Sequence, residues 1–586
     1  MKTRLRNIIV ALLCLFMLVT TVACGGEVVP PPAADGTGAG VSSGDSGSSG
    51  DGDSTAPASA ASGGSTRDYV EPPEGPWDTP YSQTVNIKTA VSAGNDWVFE
   101  GGDDFSNSPW TRAWKDRLNI EVTPEWIEVG GSNYETKLNM SIAAGQVPDA
   151  FKVNYVQYRQ LRAANLLTDI GDAYRDYASA RVRDYELEDP DTIKITSEGD
   201  SIYAIPNYYY GQIDSPKWLW VRKDWYEDAG SPELKTVADF EALAKQFVAE
   251  GNGSYGMSID NTLKYLYMTG PMFNVYLGDY DALSNPYFWY KDSTGRIKAG
   301  ETHPEMKTAL ETWRRWFEEG IISPDFANND ENRMHEEVVN SRAGFQPFWQ
   351  WYGWMNGPNL VAATGSNDAY MIPLPFPTAD GSQVLGQIGF PNGENIVVST
   401  NCNNPAAVMK ILSFTDYVMF DPNTVLTEEE FRGFTDGQRE HASYPFSIID
   451  PRADMLQYEH VSEAMRTGDT SQLFTAGMQK KYGDSIAWRD NQDPGGLGAY
   501  LQQGRLNGCS YYLSKILLDG GFVLRTDMWG PPPVAFDQTA NTSDIFAMGF
   551  SQIIMGARPL DDYDAIVADW YASGGQILED AVNAEY

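Results

Sequence analysis

From Val85 onward the chain keeps switching hydrophobic period, and few folds accommodate that. Short apolar runs read as strands: VNIKTAV, IEVTPEWI, DAFKVN, YGMSI, AYMIPL and ENIVVS. Between them lie amphipathic helices. TVADFEALAKQFVAEG sets Val237, Phe240, Leu243, Ala244, Phe247 and Val248 on one helical face and stops at Gly251. A second helix is predicted to open with a capping box, Thr302 to Glu305, and to place Met306, Leu310, Trp313 and Phe317 on one stripe before Gly320. Such alternation indicates an α/β architecture of mainly parallel sheets flanked by helices.

The first residues carry a different signal. MKTRLRNIIVALLCLFMLVTTVAC has a basic start (Lys2, Arg4, Arg6), an apolar stretch from Ile8 to Val19, and small residues leading to Cys24. That is the layout of a secretory signal, and its apolar run is short for a bilayer span of roughly 20 residues. TVAC followed by two glycines resembles a bacterial lipobox, with Thr21 where Leu is more usual. The expectation is a signal peptide at residues 1–23 and a lipid on Cys24. Residues 25–66 contain no aromatic, no Leu, Ile or Met and no Lys or Arg. Such a segment cannot bury enough apolar surface to offset its ordering entropy, so residues 24–78 are expected to be a tether with a mean span on the order of 35 Å.

About 520 residues remain to fold, enough for two domains. The formal charge is −38, from 42 basic and 80 acidic residues, which disfavours nucleic acid or an anionic membrane as partner. Four histidines, no HExxH and no paired-cysteine spacing give a metal site no support, and no cofactor motif is present. The one GxSxG, Gly40 to Gly44, lies inside the tether without the strand and helix a nucleophile elbow needs. Asp279 to Asn285 lacks the Gly and closing Glu of a calcium loop. No catalytic residue is assigned. The 80 acidic residues leave a glycosidase-type carboxylate pair open. Whether Cys402 and Cys509 pair is also open, since a disulfide depends on geometry.

In open α/β sheets, ligands sit beyond the carboxyl ends of strands. The candidates are therefore Asn154 and Tyr155 after DAFKV, Tyr208 and Tyr209 after YAIPN, Asp260 and Asn261 after YGMSI, and the decapeptide FQPFWQWYGW at residues 345–354. Six of its ten residues are aromatic. Both parities of a strand would carry rings there, and Pro347 and Gly353 weaken a central strand, so the stretch is expected to run from strand into loop. Trp offers a rigid face for the C–H patches of a pyranose, while Asn, Asp, Gln and Tyr bond its hydroxyl rim. Trp349, Trp351 and Trp354 are the candidate platforms.

Four segments resemble the extracellular solute-binding proteins of bacterial carbohydrate ABC importers, family 1. They are AAGQVPDAFKVNYVQYRQLRAANLLTDIGD, YAIPNYYYGQIDSPKWLWVRKDWYEDAG, GIISPDFANNDENRMHEEVVNSRAGFQPFWQW and NIVVSTNCNNPAAVMKILSF. The ending from QIIMGARPL to the last residue is similar to a long lipoprotein subgroup. The resemblance implies a two-lobed, type II periplasmic-binding-protein-like fold with the ligand in a cleft and hinge crossings near GQIDSPKW and GQIGFPNGEN. Lobe 1 is expected over 79–213 plus about 393–440, and lobe 2 over 214–392 plus about 441–586 with a C-terminal helical extension. It implies a monomer tethered to the outer face of the membrane through Cys24 alone, capturing an oligosaccharide for ABC permease subunits without catalysis. Val153 stands where the maltodextrin type has an aromatic, and the acidic and basic pair that follows there is absent, which argues against maltose. A tethered glycosidase or lyase, and a peptide or quaternary-amine binder, are the alternatives.

Overall fold

The computed structural model describes residues 77–586 apart from 95–98, 100–101, 189, 208–214, 279–285, 391–393, 421–445, 449 and 540–541. The signal, Cys24, the tether up to residue 76, Tyr208, Tyr209, the Asp279–Asn285 loop and the first half of the first expected crossing lie outside the described residues. Trp77, expected in the tether, packs with its ring centroid 5.5 Å from that of Tyr417.

Two sheets organise the chain. Strands β1 (Val85–Ala93), β2 (Ile120–Val129) and β3 (Ala150–Val153) come first, then a two-residue hairpin, β4 (Ser197–Glu198) and β5 (Ser201–Ile202), and β6 (Ala204–Pro206). Strands β7 (Lys217–Arg222), β8 (Tyr255–Met257), the hairpin β9 (Trp289–Lys291) and β10 (Ile297–Ala299), β11 (Ala343–Trp349) and β12 (Met371–Leu374) follow. Last are β13 (Gly386–Ile388), β14 (Asn395–Val398) and β15 (Val523–Arg525). The first sheet has the order β2-β1-β3-β14-β6 and the second β12-β7-β11-β8. Each has its own hydrophobic core.

Both sheets are mixed. β1 runs parallel to β2 and β3, and β11 parallel to β8. Every pairing of β7 or β14 is antiparallel. These two strands enter their sheet from the other lobe, with no helix of the same sheet before them, so the βαβ geometry that enforces parallel pairing does not apply. Pro124 falls where the β1–β2 register slips past Glu125, on the edge strand β2, a position that tolerates a missing N–H.

The helix Val237–Ala249 forms as expected, with Thr236 and Asp239 exchanging a capping box and Gly251 left-handed after its end. Val248 turns outward, at 37% exposure. The next expected cap is corrected: the helix Met306–Glu318 has Glu305 as its N-cap without a side-chain bond, and Thr302 closes a 3-10 turn by donating its hydroxyl to Ala299 O at 2.7 Å. Strand β11 is central, yet β8 pairs with it only as far as Phe345, so among the described residues no strand pairs with that side of Pro347. Rings on both parities are accommodated because both faces are covered. Phe345 meets Phe240 and Phe247, while Phe348 meets Tyr265, His335 and Tyr352.

Helices from Ala453 onward add Trp488, Leu501, Phe546, Phe550 and Trp570 to the second core. Phe446 and Ile448 still belong to the first. There Arg181 reaches two fully buried carboxylates, Asp416 at 3.3 Å and Asp450 at 2.6 Å. Cys402 and Cys509 are both free and buried in different clusters, Cys402 in the first core and Cys509 beside Tyr458 and Tyr511.

Glu301, in the 3-10 turn Gly300–Thr302, is fully buried, and burial pushes its carboxyl up to about 8, opposed by backbone N–H groups of Glu301 and Gly278. Between pH ~4.5 and ~8 the unfolded chain releases a proton that the folded chain keeps, so this group lowers stability as pH rises through that window. Glu301→Gln is expected to flatten the fall, raising stability at pH 8 by a few kcal/mol at about 1.4 kcal/mol per pH unit. Denaturant titrations across the window check it, and parallel pH curves for the two proteins would refute it.

Candidate functional site

The ends of the strands place the candidates. In the first sheet β3 stops at Val153 opposite Asn395, the start of β14, and Asn395 also pairs with Pro206 at the end of β6. Asn154 follows as the N-cap of the helix Tyr155–Ala163. Its Oδ1 accepts from Gln157 N at 2.9 Å, while its own N–H donates to Gln157 Oε1 at 3.1 Å. The Asn154 side chain is thus committed to the helix start. Lys152, 4% exposed, lies 3.6 Å from Glu394; burial lowers its ammonium pKa and the carboxylate opposes the shift.

Tyr155 is half-buried and carries the Arg159 guanidinium 4.9 Å from its ring centre. Burial raises its hydroxyl and Arg159 works against that. Arg159 donates to Pro532 O at 2.6 Å and pairs with Asp537, so this helix of the first lobe is tied to the C-terminal extension.

At the second sheet β8 ends at Met257 opposite Phe345, β11 runs on to Trp349, and Trp349 lies opposite Lys217, the first residue of β7. Asp260, 3% exposed, faces inward and accepts from the hydroxyl and N–H of Thr262 and the N–H of Tyr265. Burial raises its carboxyl. Its work is to shape a turn. Asn261 is exposed, its N–H donating to Asn329 O at 2.8 Å. In that turn Leu263 is fully buried at φ 65°, a conformation costly for a residue with a Cβ, and it launches the short helix Lys264–Tyr267.

The decapeptide divides. Phe345, Phe348 and Tyr352 are fully buried core. Trp349 and Trp351 are partly exposed and stack at 5.9 Å with an 11° angle between rings. The edges of Tyr265 and Phe348 brace Trp349, and the Lys264 ammonium sits 4.7 Å from its ring centre. Trp354 is carried off by the helix Tyr352–Thr364. Its Nε1 donates to Gln502 Oε1 at 3.1 Å, Lys481 covers its ring at 3.9 Å, and Gly498 lies against it. Asp260, Asn261, Trp349 and Trp351 thus gather at one sheet edge, whereas Trp354 is engaged by the C-terminal helices.

Beside the stacked pair opens a hollow of about 510 Å³ of atom-free space, counting its mouth. Lys217, Trp218, Lys264, Tyr267, Phe376 and Gln387 are among its lining residues. The lysines were not among the residues picked from sequence. A strand-end reading points at Lys217, but Lys264 depends on the left-handed turn at Leu263, which has no sequence signature. Among the described residues no cluster of His, Cys, Asp or Glu could hold a metal ion, and no helix is long and apolar enough to cross a membrane.

The model of the family described as bacterial extracellular solute-binding protein matches residues 103–418. Lipoprotein LipO of Bacillus subtilis (strain 168) is 22% identical over 383 residues, 60% of this chain and 68% of that protein. The polygalacturonan/rhamnogalacturonan-binding protein YtcQ of the same organism is 21% identical over 312 residues, 51% of this chain and 58% of that one. The chain thus spans little more than half of YtcQ. Among solved structures, that of the alginate-binding protein AlgQ2 without calcium ion superposes with a TM-score of 0.56 at 13% identity, covering 86% of this chain and 99% of that one. The shared fold is two-lobed and of the periplasmic-binding-protein type.

A Cβ at Gly498 would lie 2.4 Å from the Trp354 ring. Gly498→Ala is expected to cost about 1 to 3 kcal/mol by forcing that ring aside, and Trp354→Ala about 3 kcal/mol by leaving a cavity. The double variant should be less destabilised than the sum, because the clash disappears with the ring. Denaturant midpoints of the three variants check it, and strict additivity would show that Trp354 does not pack there.

Proposed function

Since this chain belongs to the bacterial extracellular solute-binding protein family, we propose that it captures an oligosaccharide between its two lobes and delivers it to the permease subunits of an ABC importer, without catalysis. The observation that carries this reading is the Trp349–Trp351 stack, partly exposed at the carboxyl edge of the second sheet. A flat, rigid aromatic edge beside polar strand ends matches a pyranose, with apolar C–H patches and a hydroxyl rim. The relatives point the same way: YtcQ is named for binding a polysaccharide, and AlgQ2 for alginate.

Tyr208 and Tyr209 are kept as candidate contacts on their place after β6. Asn154 and Asp260 serve as frame, and Trp354 as packing. Trp351 is the better platform of the pair, because the Lys264 ammonium already occupies the face of Trp349. A quaternary-amine cage is disfavoured for the same reason, since a cation already sits there. The lobes are taken as the two sheets with their own cores, the second including the helices after Ala453. Opening and closing involve the Arg159–Asp537 pair, which ties one lobe to the other's extension. Attachment to the membrane through a lipid on Cys24, and action as a monomer, complete the proposal; LipO is named a lipoprotein.

Two experiments test it. Trp351→Ala is expected to weaken binding of a recognised oligosaccharide about 5- to 150-fold, by analogy with stacking worth about 1 to 3 kcal/mol per ring, while the unliganded unfolding midpoint stays near that of the parent. Ligand should also shrink the radius of gyration in solution scattering and be recovered intact. Unchanged affinity with lost stability would return Trp351 to the core, and cleaved sugar would favour an enzyme. For the anchor, Cys24→Ala is expected to leave the chain unprocessed or shed to the medium, read by labelled-lipid incorporation and fractionation. Unchanged retention would refute lipidation.

A further inference from the structure

The C-terminal extension returns toward the first lobe in residues 523–537. One end of this segment is β15, which pairs in parallel with β13 of the second expected crossing. Gly386 N donates to Phe522 O at 2.8 Å and Thr526 N to Ile388 O at 3.1 Å, while Trp529 meets Phe390 of the same crossing edge-on at 5.4 Å. Asp527 fixes this end to the second lobe: its N–H donates to Trp289 O at 2.8 Å and its carboxylate accepts from Lys291 N at 2.6 Å, both in β9. The middle is Pro531, Pro532 and Pro533, whose rings hold φ at about −65°. A run of this kind makes no internal hydrogen bonds, so its carbonyls need partners from elsewhere. Each has one. Tyr586 Oη donates to Pro531 O at 2.7 Å, Arg159 Nη1 to Pro532 O at 2.6 Å and Phe536 N to Pro533 O at 3.0 Å. Arg159 is the partner that comes from the first lobe. Its other amino group donates to Asp537 at 2.5 Å, on the short helix Ala535–Gln538, and its guanidinium lies on the Tyr155 ring. The two charged side chains are 17% and 24% exposed, so the bond is partly withdrawn from water and stronger than an open surface pair.

Arg159 stands one turn into the helix Tyr155–Ala163, which starts straight after β3 at the carboxyl edge of the first sheet. Ligands of open α/β sheets sit at that edge, so a bond from here to the second lobe's extension joins the lobes beside the cleft and forms only when their edges are near. Resting on the two-lobed oligosaccharide reading above, we propose that residues 523–537 are a strap and Arg159 its clasp, biasing the ligand-free lobes toward closure and so raising affinity without touching the ligand. Arg159 is a positioning residue in this scheme. Its planar fork bonds Pro532 O and Asp537 together, and a stiff proline run transmits the position of one lobe to the other where a flexible loop would slacken. The apparent dissociation constant falls as the binding-competent fraction grows, so a clasp that favours closure tightens any ligand that needs the closed form. By linkage, the ligand favours the clasp in turn.

The test uses the chain from Cys24 onward with its lipid site replaced, and begins with solution scattering of the ligand-free protein. Arg159→Ala and Asp537→Ala are each expected to raise the radius of gyration above the parent's, and the double variant no further than either, because one bond is lost in all three. Arg159→Lys, which keeps a charge for Asp537, is expected to restore part of the compaction. Oligomers of alginate and of polygalacturonan are then titrated, and the tightest binder of the parent serves as probe. Each alanine variant is expected to bind it about fivefold or more weakly and to contract more at saturation, with an unfolding midpoint near the parent's. Asp537→Ala leaves the Arg159–Tyr155 contact in place, so its loss of affinity belongs to the clasp and not to Tyr155. If Arg159→Ala does not fold, Asp537→Ala carries the comparison. Ligand-free radii equal to the parent's, or expanded variants with unchanged affinity for the probe, would overturn the clasp and leave oligosaccharide capture standing. If neither series of oligomers binds the parent, the oligosaccharide reading loses its support, and the ligand-free radii still decide the strap.

Discussion

Burial of β11 on both faces is the constraint from which most of the second lobe follows. A strand that carries Phe345 on one side and Phe348 on the other cannot face water with either. One face is closed by the helix Val237–Ala249 through Phe240 and Phe247. The other is closed by Tyr265, His335 and Tyr352, and the helices after Ala453 extend that layer outward. The cover runs out at the carboxyl end, where β8 has stopped and the chain turns at Gln350. Trp349 and Trp351 stand there half-covered, a consequence of how the core closes as much as a feature laid upon it.

Charges inside the molecule are held by partners. Partly exposed Arg181 pairs with Asp416 and Asp450, buried Lys152 with Glu394 and buried Lys264 with Glu331, whereas buried Lys410 donates to Thr79 O. Removing one member of such a set leaves an uncompensated charge, which is far costlier than never having had the pair. The sets differ in what surrounds them. Arg181 is enclosed by fully buried carboxylates within the first lobe, whereas Lys264 leans on rings at the rim of a hollow.

The alternation of periods made the two-sheet α/β fold legible, and the six quoted apolar runs all contain strands. Strand direction was not legible, because β7 and β14 reach their sheets from the other lobe and no local pattern records that. The site was half legible. Strand ends pointed to the sheet edge where Trp349 and Trp351 stand, but the roles of single residues depended on turns. Asn154 is consumed by a capping box that its own sequence, Asn followed three residues later by Gln157, could have announced. Asp260 turns inward because Leu263 adopts a left-handed conformation that nothing in the sequence signals. Trp354 leaves the strand's alternation at Gln350, where a period of two becomes 3.6, and from there parity arguments no longer hold.

Strand β14 sits in the middle of the first sheet, paired on both sides, although it is separated from β6 by residues 207–394, which hold all four strands of the second sheet. A chain emerging amino end first therefore presents β3 and β6 with a missing neighbour between them until nearly four hundred residues exist. Their open edges are templates for mispairing throughout that interval. The sheet cannot close by local contacts, so its assembly is governed by a long loop closure and is slow by topology. A nascent chain of this design gains by staying unpaired at those edges until it is whole, a demand set by the strand order.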